Sequence, residues 1–433
     1  MSQATNTTAR VISTREAIRA VTAGGIGNVL EQYDNLIYAY SAALLGSLFF
    51  STGDPVSNLL ATFGVFAVGF LMRPLGALFF GNIGDRFGRK RALVLSVALM
   101  AACTTAIGLL PTYQNIGVWA TVLLIVLRLL QGFSVGGEWA GSTAFIVEYA
   151  PQAKRGLYGS YQQVSTAVGF LLASGISAGM STWFSPDDLL AWAWRIPFLL
   201  AALTGVVALW LRFGMEETPR FEEAIAKDEL VKNPLRQSMR TQFPNVARGF
   251  GFTLLWTVAY FLFLTFIPTY LTQYNGVDSS VAKLSATFGI ALFAVLIPFA
   301  GWLSDRFGRR PLLLISTIGF ALLSWPVLAL MGVGSVVAIY GGWVVLAVLL
   351  ALFSGPGPAA LAEMFPTGVR YSALSIGYNI AVAAFGGTAP VLAVWVIKVT
   401  GVTTSPAFIA IAAAIITTFV VLSMKETSRG SLR

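Results

Sequence analysis

Five ionisable side chains stand inside long apolar stretches of the sequence: Glu31, Asp34, Arg73, Arg128 and Glu138. Glu31 and Asp34 are three residues apart, so they are neighbours on one helical face. A charged side chain in a bilayer is costly unless it is paired or faces water, and such residues therefore indicate a functional site. An arginine binds a carboxylate through two parallel hydrogen bonds. These residues predict an anion-binding site beside acids that could accept a proton.

The sequence contains no histidine and a single cysteine, Cys103. A histidine proton relay, a histidine metal site, a disulfide framework and a thiolate metal cluster are therefore excluded. No G-x-x-x-x-G-K-[ST] segment is present, which excludes ATP hydrolysis by a P-loop. A proton carried by this chain must consequently sit on a carboxylate, and we expect no cofactor and no metal.

The composition indicates what must position these residues. Of 433 residues, 56% are hydrophobic and 11% are charged, whereas a soluble domain has about 25% charged residues. No soluble core could bury so much apolar surface, and a membrane-spanning helix needs about 20 mostly apolar residues. Apolar runs predict twelve spans, at residues 24–50, 57–80, 91–110, 116–147, 157–183, 192–212, 248–273, 281–303, 311–331, 336–362, 371–397 and 405–424.

The distribution of lysine and arginine sets the predicted orientation. Of 28 such residues, 23 fall on the side of the two termini, three fall on the opposite side, and Arg73 and Arg128 fall inside spans. The larger group includes Arg212, which we assign to the central loop. The positive-inside rule then places both termini in the cytoplasm, and the expected location is a bacterial inner membrane. The net charge of +9 is thus a topology signal, and no nucleic-acid partner is expected.

Two segments of the first half recur in the second half. Gly81-Asn-Ile-Gly-Asp-Arg-Phe-Gly-Arg89 returns as Gly301-Trp-Leu-Ser-Asp-Arg-Phe-Gly-Arg309, and Glu148-Tyr-Ala-Pro-Gln-Ala-Lys-Arg155 returns as Glu363-Met-Phe-Pro-Thr-Gly-Val-Arg370. We predict two repeated units, 1–213 and 247–433, joined by a cytoplasmic linker at 214–246. Transporters commonly place a substrate cavity between such repeats near the bilayer midplane.

The repeated loops carry charged side chains at the predicted cytoplasmic rim. These charges could be topology anchors alone, or they could form ionic latches that stabilise one of two states, because only contacts that differ between states bias them. The predicted gate residues are Asp85, Arg86, Arg89, Glu148, Arg155, Asp305, Arg309, Glu363 and Arg370.

The repeated loop resembles the signature loop of the major facilitator superfamily. Further segments narrow the resemblance, including Gly27-Asn-Val-Leu-Glu-Gln-Tyr-Asp34, Gly69-Phe-Leu-Met-Arg-Pro-Leu-Gly76 and Arg128-Leu-Leu-Gln-Gly-Phe-Ser-Val-Gly-Gly-Glu-Trp139. Together they are similar to the metabolite:proton symporter family, whose members carry α-ketoglutarate, citrate, shikimate or proline and betaine. The resemblance implies an all-α membrane protein with twelve transmembrane helices in two pseudo-symmetric six-helix bundles. Where this family usually has tryptophan after the first-span glutamate, the chain has Gln32, which leaves the substrate open.

The residues and the resemblance predict a secondary active transporter that imports a small organic carboxylate with protons by alternating access. Arg73 is the predicted anion anchor, and Asp34 or Glu31 is the predicted proton site. Arg128 and Glu138 are second candidates for the same roles. The alternative for each of these charges is a static ion pair that fixes helix packing.

Polar side chains in other spans are predicted to complete the substrate site: Tyr38, Gln162, Gln163, Tyr260, Tyr378 and Asn379. The aromatic stretch Phe261–Phe266 is interpreted as core or lipid-facing. The expected partners are a small-molecule substrate, protons and the lipid bilayer, and the chain is expected to be monomeric.

Two other substrate classes stay open. A symporter of a zwitterionic osmolyte such as proline or betaine fits the same charges. A long coiled-coil tail is often seen in osmosensing carriers, and this sequence runs nine residues past Met424, so osmosensing is not expected. A proton–drug antiporter is less favoured, because it should show a Gly-Pro pair in span 5 and residues 158–183 contain no proline.

Overall fold

The computed structural model describes residues 14–50, 55–214, 217, 240–430 and 432, and within these residues the chain is helical without a β-strand. Most of the predicted linker at 214–246 lies outside the described residues. The part that is described shows a helix that already begins at Phe243, ahead of the predicted linker end.

In the described residues, twelve long helical segments correspond to the twelve predicted spans. They are α1 (Thr14–Tyr40, continued by Ala42–Phe49), α2 (Pro55–Leu71 and Arg73–Phe87), α3 (Arg89–Leu109), α4 (Val118–Tyr149), α5 (Arg155–Trp183), α6 (Arg195–Phe213), α7 (Phe243–Ala259, Tyr260–Phe266, Ile267–Thr269 and Tyr270–Tyr274), α8 (Ser279–Phe307), α9 (Arg309–Gly332), α10 (Val336–Ser354 and Gly357–Glu363), α11 (Arg370–Phe385 and Ala389–Thr400) and α12 (Pro406–Ser423). Short helices at Tyr113–Ile116, Gln152–Lys154, Pro186–Asp188, Leu189–Ala193 and Thr367–Val369 lie between them.

Ten of the described segments are long and apolar enough to cross a membrane by length and composition. The other two, α1 and α5, carry the acids of the first span and the glutamines of the fifth. These two helices pack along each other, and α5 also packs along α8 of the second half. Helix α5 therefore lies where the halves meet, between α1 and α8, so its polar side chains can be covered by protein.

Helices α7 and α10 depart from regular α geometry. In α7 the backbone widens into π-type turns at Tyr260–Phe266 and Tyr270–Tyr274, on either side of Pro268. In α10 the helix stops after Ser354 and restarts at Gly357, as expected for a segment with two prolines in four residues. Wide turns of this kind in α-helices are frequent at functional sites, and α7 contributes to the cavity described below.

The repeated loops adopt the same turn in both halves. Gly88 joins α2 to α3 with φ 106°, and Gly308 joins α8 to α9 with φ 101°. Only glycine adopts this region of backbone conformation without strain. The turn therefore requires glycine at positions 88 and 308, where the repeated loops both have it.

Candidate functional site

Besides the ion pairs of the repeated loops, three buried ion pairs lie inside the first half among the described residues. Arg73 donates to Glu31 at 3.1 Å, Arg128 donates to Asp34 at 3.1 Å, and Arg212 pairs with Glu138. All six side chains are almost completely buried. An unpaired charge would be costly in this environment, and each acid here has an arginine partner.

The position of Arg212 corrects the sequence prediction, which counted this residue with the charges of the central loop although it ends the predicted span 192–212. It lies near the end of α6, is fully buried, and donates to both carboxylate oxygens of Glu138 and to the carbonyl of Leu93. Ser96 adds a hydrogen bond to Glu138 at 2.8 Å. A charge count could have found this residue, because three acids and two arginines inside the predicted spans leave one acid unmatched.

Glu138→Gln is expected to destabilise the protein strongly, since it leaves Arg212 buried without a counter-charge. Breaking such a pair costs about 3–5 kcal/mol. The thermal midpoint of the detergent-purified variant should fall well below that of Ser96→Ala, which removes one hydrogen bond from the same carboxylate and costs about 1 kcal/mol. A variant with wild-type stability that has lost proton coupling would instead make Glu138 a proton site.

The Asp34–Arg128 pair is closed off from the cavity. Gln131 donates to the second oxygen of Asp34 at 2.9 Å and accepts from Arg128 at 2.9 Å. The Tyr38 ring covers the guanidinium of Arg128, with 4.2 Å between the guanidinium carbon and the ring centroid. Every oxygen of Asp34 is thus satisfied by neighbours within its own half, which is the geometry of a structural pair.

The Glu31–Arg73 pair is less complete and faces a cavity. A single oxygen of Glu31, Oε1, accepts from both Arg73 and Gln32, at 3.1 and 3.2 Å. The other oxygen, Oε2, is buried and has no hydrogen-bond partner among the described residues. The guanidinium of Arg73 also lies 4.3 Å from the centroid of the Phe70 ring. Of the three pairs, this one leaves a carboxylate oxygen without a partner among the described residues and has its arginine in the cavity wall.

The cavity beside this pair lies between the two halves. Arg73 shares its wall with polar side chains and with a group of aromatic rings. The lining residues are Gln32, Asn35, Arg73, Trp139, Gln163, Thr166, Phe170, Trp256, Thr257, Tyr260, Phe261, Thr265, Tyr378 and Val382. Among these residues, Arg73 supplies the one formal charge.

The structure brings together four of the residues predicted to bind substrate: Arg73, Gln163, Tyr260 and Tyr378. Tyr260 donates to Gln163 across the halves at 2.8 Å. The remaining predicted residues lie behind the cavity wall and are not among its lining residues: Tyr38 and Arg128 in the Asp34 network, Gln162 buried against Asn28, and Asn379 bonded to a backbone carbonyl of α4.

Aromatic lining residues are the main part of the site that sequence reasoning missed. The Trp139 ring stacks on Tyr378 with 3.8 Å between centroids and 5° between planes, and Trp256 meets Trp139 edge-on at 5.4 Å. Phe261, interpreted from the sequence as core or lipid-facing, also lines the cavity. The sequence carried no signal for this, because aromatic residues in a membrane span are equally compatible with lipid, core or cavity.

The repeated charged loops meet at one end of the molecule, which we call the basic rim (loops 81–91, 148–155, 301–310 and 363–370). In the first copy, Asp85 accepts from the backbone N–H of Ser372 at 2.8 Å, and Arg89 donates to the carbonyl of Thr367 at 2.8 Å. Glu148 accepts from Arg370 at 2.8 Å. The first half thus holds the start of α11 in the second half.

The second copy makes the corresponding contacts in the opposite direction. Asp305 accepts from the backbone N–H groups of Gly156 and Leu157, at 2.8 and 2.9 Å. Glu363 pairs with Arg155 of the first half at 3.2 Å and with Arg309 at 3.4 Å. The structure therefore shows the basic rim with the two halves held together.

Arg86 differs from the other predicted gate residues. It is exposed, its guanidinium lies 5.6 Å from the Phe87 ring centroid, and no ion pair involves it among the described residues. Two glutamates that the prediction omitted contribute instead. Glu217 accepts from the backbone N–H of Arg89 at 3.0 Å, and Glu426 accepts from that of Arg309 at 3.0 Å.

These two glutamates stabilise equivalent helix starts in the two halves. For Glu426, partial burial alone would raise the pKa of the carboxyl group, but hydrogen bonds from the backbone of Arg309, Arg310 and Ser428 hold that pKa below its usual value. A carboxylate at a helix N-terminus is stabilised in the same way by the helix dipole. The Glu-Thr dipeptide that recurs at Glu217 and Glu426 is the sequence signal for this contact.

Comparison with known proteins decides the family. A family model described as "Sugar (and other) transporter" matches residues 20–247 and 222–433. The proline/betaine transporter of Escherichia coli K12 is 36% identical over 426 residues, which cover 96% of this chain and 85% of that transporter. The chain belongs to the major facilitator superfamily.

One further relative and one solved structure with the same fold extend the comparison. The glycine betaine/proline/ectoine/pipecolic acid transporter OusA of Dickeya dadantii is 36% identical over 427 residues, covering 96% of this chain and 84% of OusA. A structure of the major facilitator proton:xylose symporter XylE, bound to 6-bromo-6-deoxy-D-glucose, has a TM-score of 0.80 at 17% identity, covering 97% of this chain and 98% of XylE.

These findings confirm the predicted resemblance to the superfamily's metabolite:proton symporters and the predicted twelve-helix, all-α membrane fold. As a member of this superfamily, the chain is a multi-pass membrane transporter. This transport protein accordingly contains the three ion pairs, the cavity and the basic rim described above.

Proposed function

We propose that this transporter imports a small zwitterionic osmolyte, such as betaine or proline, by proton-coupled symport. The observation that supports this proposal is the cavity itself, in which one arginine and several aromatic rings face the same space. The proposal replaces a plain organic carboxylate, which the sequence had favoured, with the zwitterion that the sequence left as an alternative.

The two kinds of lining residue match the two ends of a zwitterion. Arg73 can bind a carboxylate through its planar guanidinium. The rings of Trp139, Trp256 and Tyr378 line the same cavity and can attract a quaternary or secondary ammonium group, and cation–π attraction is strongest in desolvated aromatic sites. Citrate or α-ketoglutarate would bring two or three carboxylates to a wall with a single cation, leaving negative charge uncompensated.

The relatives support the same substrate class. The Escherichia coli transporter is named for proline and betaine, and the Dickeya dadantii transporter for glycine betaine, proline, ectoine and pipecolic acid. Each of these compounds joins one carboxylate to one cationic nitrogen-containing group. One arginine and a group of aromatic rings in the cavity wall suit all of them.

Glu31 is the proton site in this proposal, and Arg73 couples it to the substrate. In the structure, Arg73 is held by Glu31. A substrate carboxylate that binds Arg73 competes with Glu31 for the guanidinium, and the acid that loses its counter-charge then takes up a proton. Substrate and proton therefore enter together, and the neutralised site can reorient.

The proposed orientation places the basic rim in the cytoplasm of a bacterial inner membrane, with units 1–213 and 247–433 rocking against each other about a linker at 214–246. The two sets of rim contacts hold the cytoplasmic side closed. The cavity then loads from the other side. Release into the cytoplasm requires these contacts to break, because access alternates between two states.

Uptake into proteoliposomes tests the proposal. Labelled glycine betaine and proline should accumulate when the outside is acidic, while labelled citrate and α-ketoglutarate should not. Trp139→Ala should raise the KM for glycine betaine at least tenfold, because it removes a strong cation–π contact from a buried site. Trp302→Ala serves as the matched control, since Trp302 lies beneath Arg306 at the rim, outside the cavity lining.

The other outcomes would change either the proposed substrate or the proposed coupling ion. Accumulation of the plain acids without the zwitterions would return the substrate to a simple carboxylate. A response to a sodium gradient, with none to pH, would replace the proton as the coupling ion.

A further inference from the structure

Four consecutive residues of α4, Gly136 to Trp139, connect separate parts of the protein. The carbonyl of Gly136 accepts from the Asn379 side chain at 2.7 Å, and the carbonyl of Gly137 accepts from the Tyr371 hydroxyl at 2.6 Å. Glu138 pairs with Arg212, and Trp139 stacks on Tyr378 in the cavity. Three of these four contacts cross from the first half to α11 of the second half.

The Tyr371 ring is inserted into a slot of the first half. It is fully buried, and a Cβ atom added to Gly84 would lie 2.0 Å from its Cδ1 atom. A Cβ atom added to Gly141 would lie 2.3 Å from its hydroxyl oxygen. Glycine in α2 and in α4 is therefore needed to admit a ring that belongs to the other half.

The second half lacks a corresponding insertion at the equivalent position. In the repeat, Gly156 follows Arg155 as Tyr371 follows Arg370. A Cβ atom added to Gly156 would lie 2.6 Å from the carbonyl oxygen of Gly301 and even closer to the Ser304 hydroxyl, so backbone and side-chain atoms of α8 fill that space. The repeated contacts of the basic rim therefore do not require an aromatic residue at this position. The Tyr371 contact is an additional contact in one of the two copies.

We propose that Tyr371 is a positioning residue that links cytoplasmic closure to the aromatic wall of the cavity. When the halves separate at the basic rim, the Tyr371 ring must leave its slot and Asn379 must leave Gly136. Because Trp139 and Tyr378 are carried on the same two helical segments, their stack must open in the same movement. The Tyr371 hydroxyl thus stabilises the closed rim and, through it, the closed aromatic wall.

Tyr371→Phe tests this role with the loss of one hydroxyl group. Its matched control is Tyr33→Phe, because the Tyr33 hydroxyl is also buried and donates to a backbone carbonyl, that of Pro197 at 2.7 Å, within the first half. Both variants are made with Cys103→Ser, which removes the single native cysteine. A reporter is added as Ser375→Cys, on the α11 face between Tyr371 and Asn379.

The rate of reaction of the reporter with a water-soluble maleimide is measured on purified protein in detergent. Tyr371→Phe should raise this rate about fivefold, the population shift expected from the loss of one buried hydrogen bond. Tyr33→Phe should leave the rate within a factor of about two of the parent, as expected for a substitution that acts equally on both states. Equal rates in the two variants would overturn the proposal.

A second variant covers the case in which Tyr371→Phe does not yield folded protein. Asn379→Ala removes the neighbouring cross-half hydrogen bond and should change reporter reactivity in the same direction, whereas a decrease would contradict the proposal. Neither measurement needs a substrate or an ion gradient. The result is therefore independent of whether the proposed osmolyte or the proposed coupling ion is correct.

Discussion

Arg73→Lys is expected to raise the KM for glycine betaine about 10- to 100-fold, the cost of losing one or two hydrogen bonds to a charged group. In the described part of the chain, the guanidinium donates one hydrogen bond, to Glu31, and Arg73 lines the cavity. Lysine keeps the positive charge but loses the planar fork that binds a carboxylate bidentately. Initial rates of uptake into proteoliposomes over a range of betaine concentrations give the KM.

Arg128→Lys is the control for this prediction. Arg128 is buried to the same extent and pairs with its carboxylate at the same 3.1 Å, but it is covered by Tyr38 and does not line the cavity. This variant should lower the yield and thermal stability of the protein and leave the KM of the folded fraction near wild type. A larger KM effect at Arg128 than at Arg73 would place the carboxylate in the other ion pair.

The helices and the basic rim could be predicted from the sequence more completely than the residues that line the cavity. Spans and repeated loops follow from apolar runs, glycine turns and charge distribution, all of which are local in sequence. The buried ion pairs were predicted only in part. Static ion pairs were the stated alternative for the charges inside the spans, while Arg212 was assigned to the central loop because it stands at the end of an apolar run.

Contacts between the halves could not be derived from the sequence. Trp139 and Tyr378 are separated by more than half of the chain, and nothing in either span distinguishes a ring that stacks across the interface from one that faces lipid. The same holds for Tyr371 and its slot at Gly84. The repeat even predicts against it, since the equivalent position in the first half is glycine. Such contacts depend on how two bundles dock, which no local pattern encodes.

Glu31→Gln is expected to abolish uphill transport while leaving substrate exchange intact. Glutamine has the shape of the protonated acid but cannot titrate, so Arg73 stays available for a substrate carboxylate and no proton is carried. With one proton per substrate, an imposed difference of one pH unit drives about tenfold accumulation. In the variant, the internal and external substrate concentrations should become equal at the same pH difference. Counterflow of labelled betaine against unlabelled betaine should continue at a rate within about threefold of wild type, because binding and reorientation need the neutral site that glutamine mimics.

Asp34→Asn separates a proton site from a structural pair, because it makes the same chemical change one helical turn away. Asp34 has both oxygens bonded, to Arg128 and Gln131, whereas Glu31 has one oxygen without a partner in the described residues and a neighbour that lines the cavity. We therefore expect Asp34→Asn to reduce thermal stability and the amount of folded protein, while the protein that folds still accumulates betaine in response to pH. The opposite pattern, with pH-driven accumulation lost in Asp34→Asn and retained in Glu31→Gln, would assign the proton to Asp34. Loss of both accumulation and counterflow in Glu31→Gln would instead mean that the Glu31–Arg73 pair is needed to form the site, because an acid needed only for coupling would leave exchange unchanged.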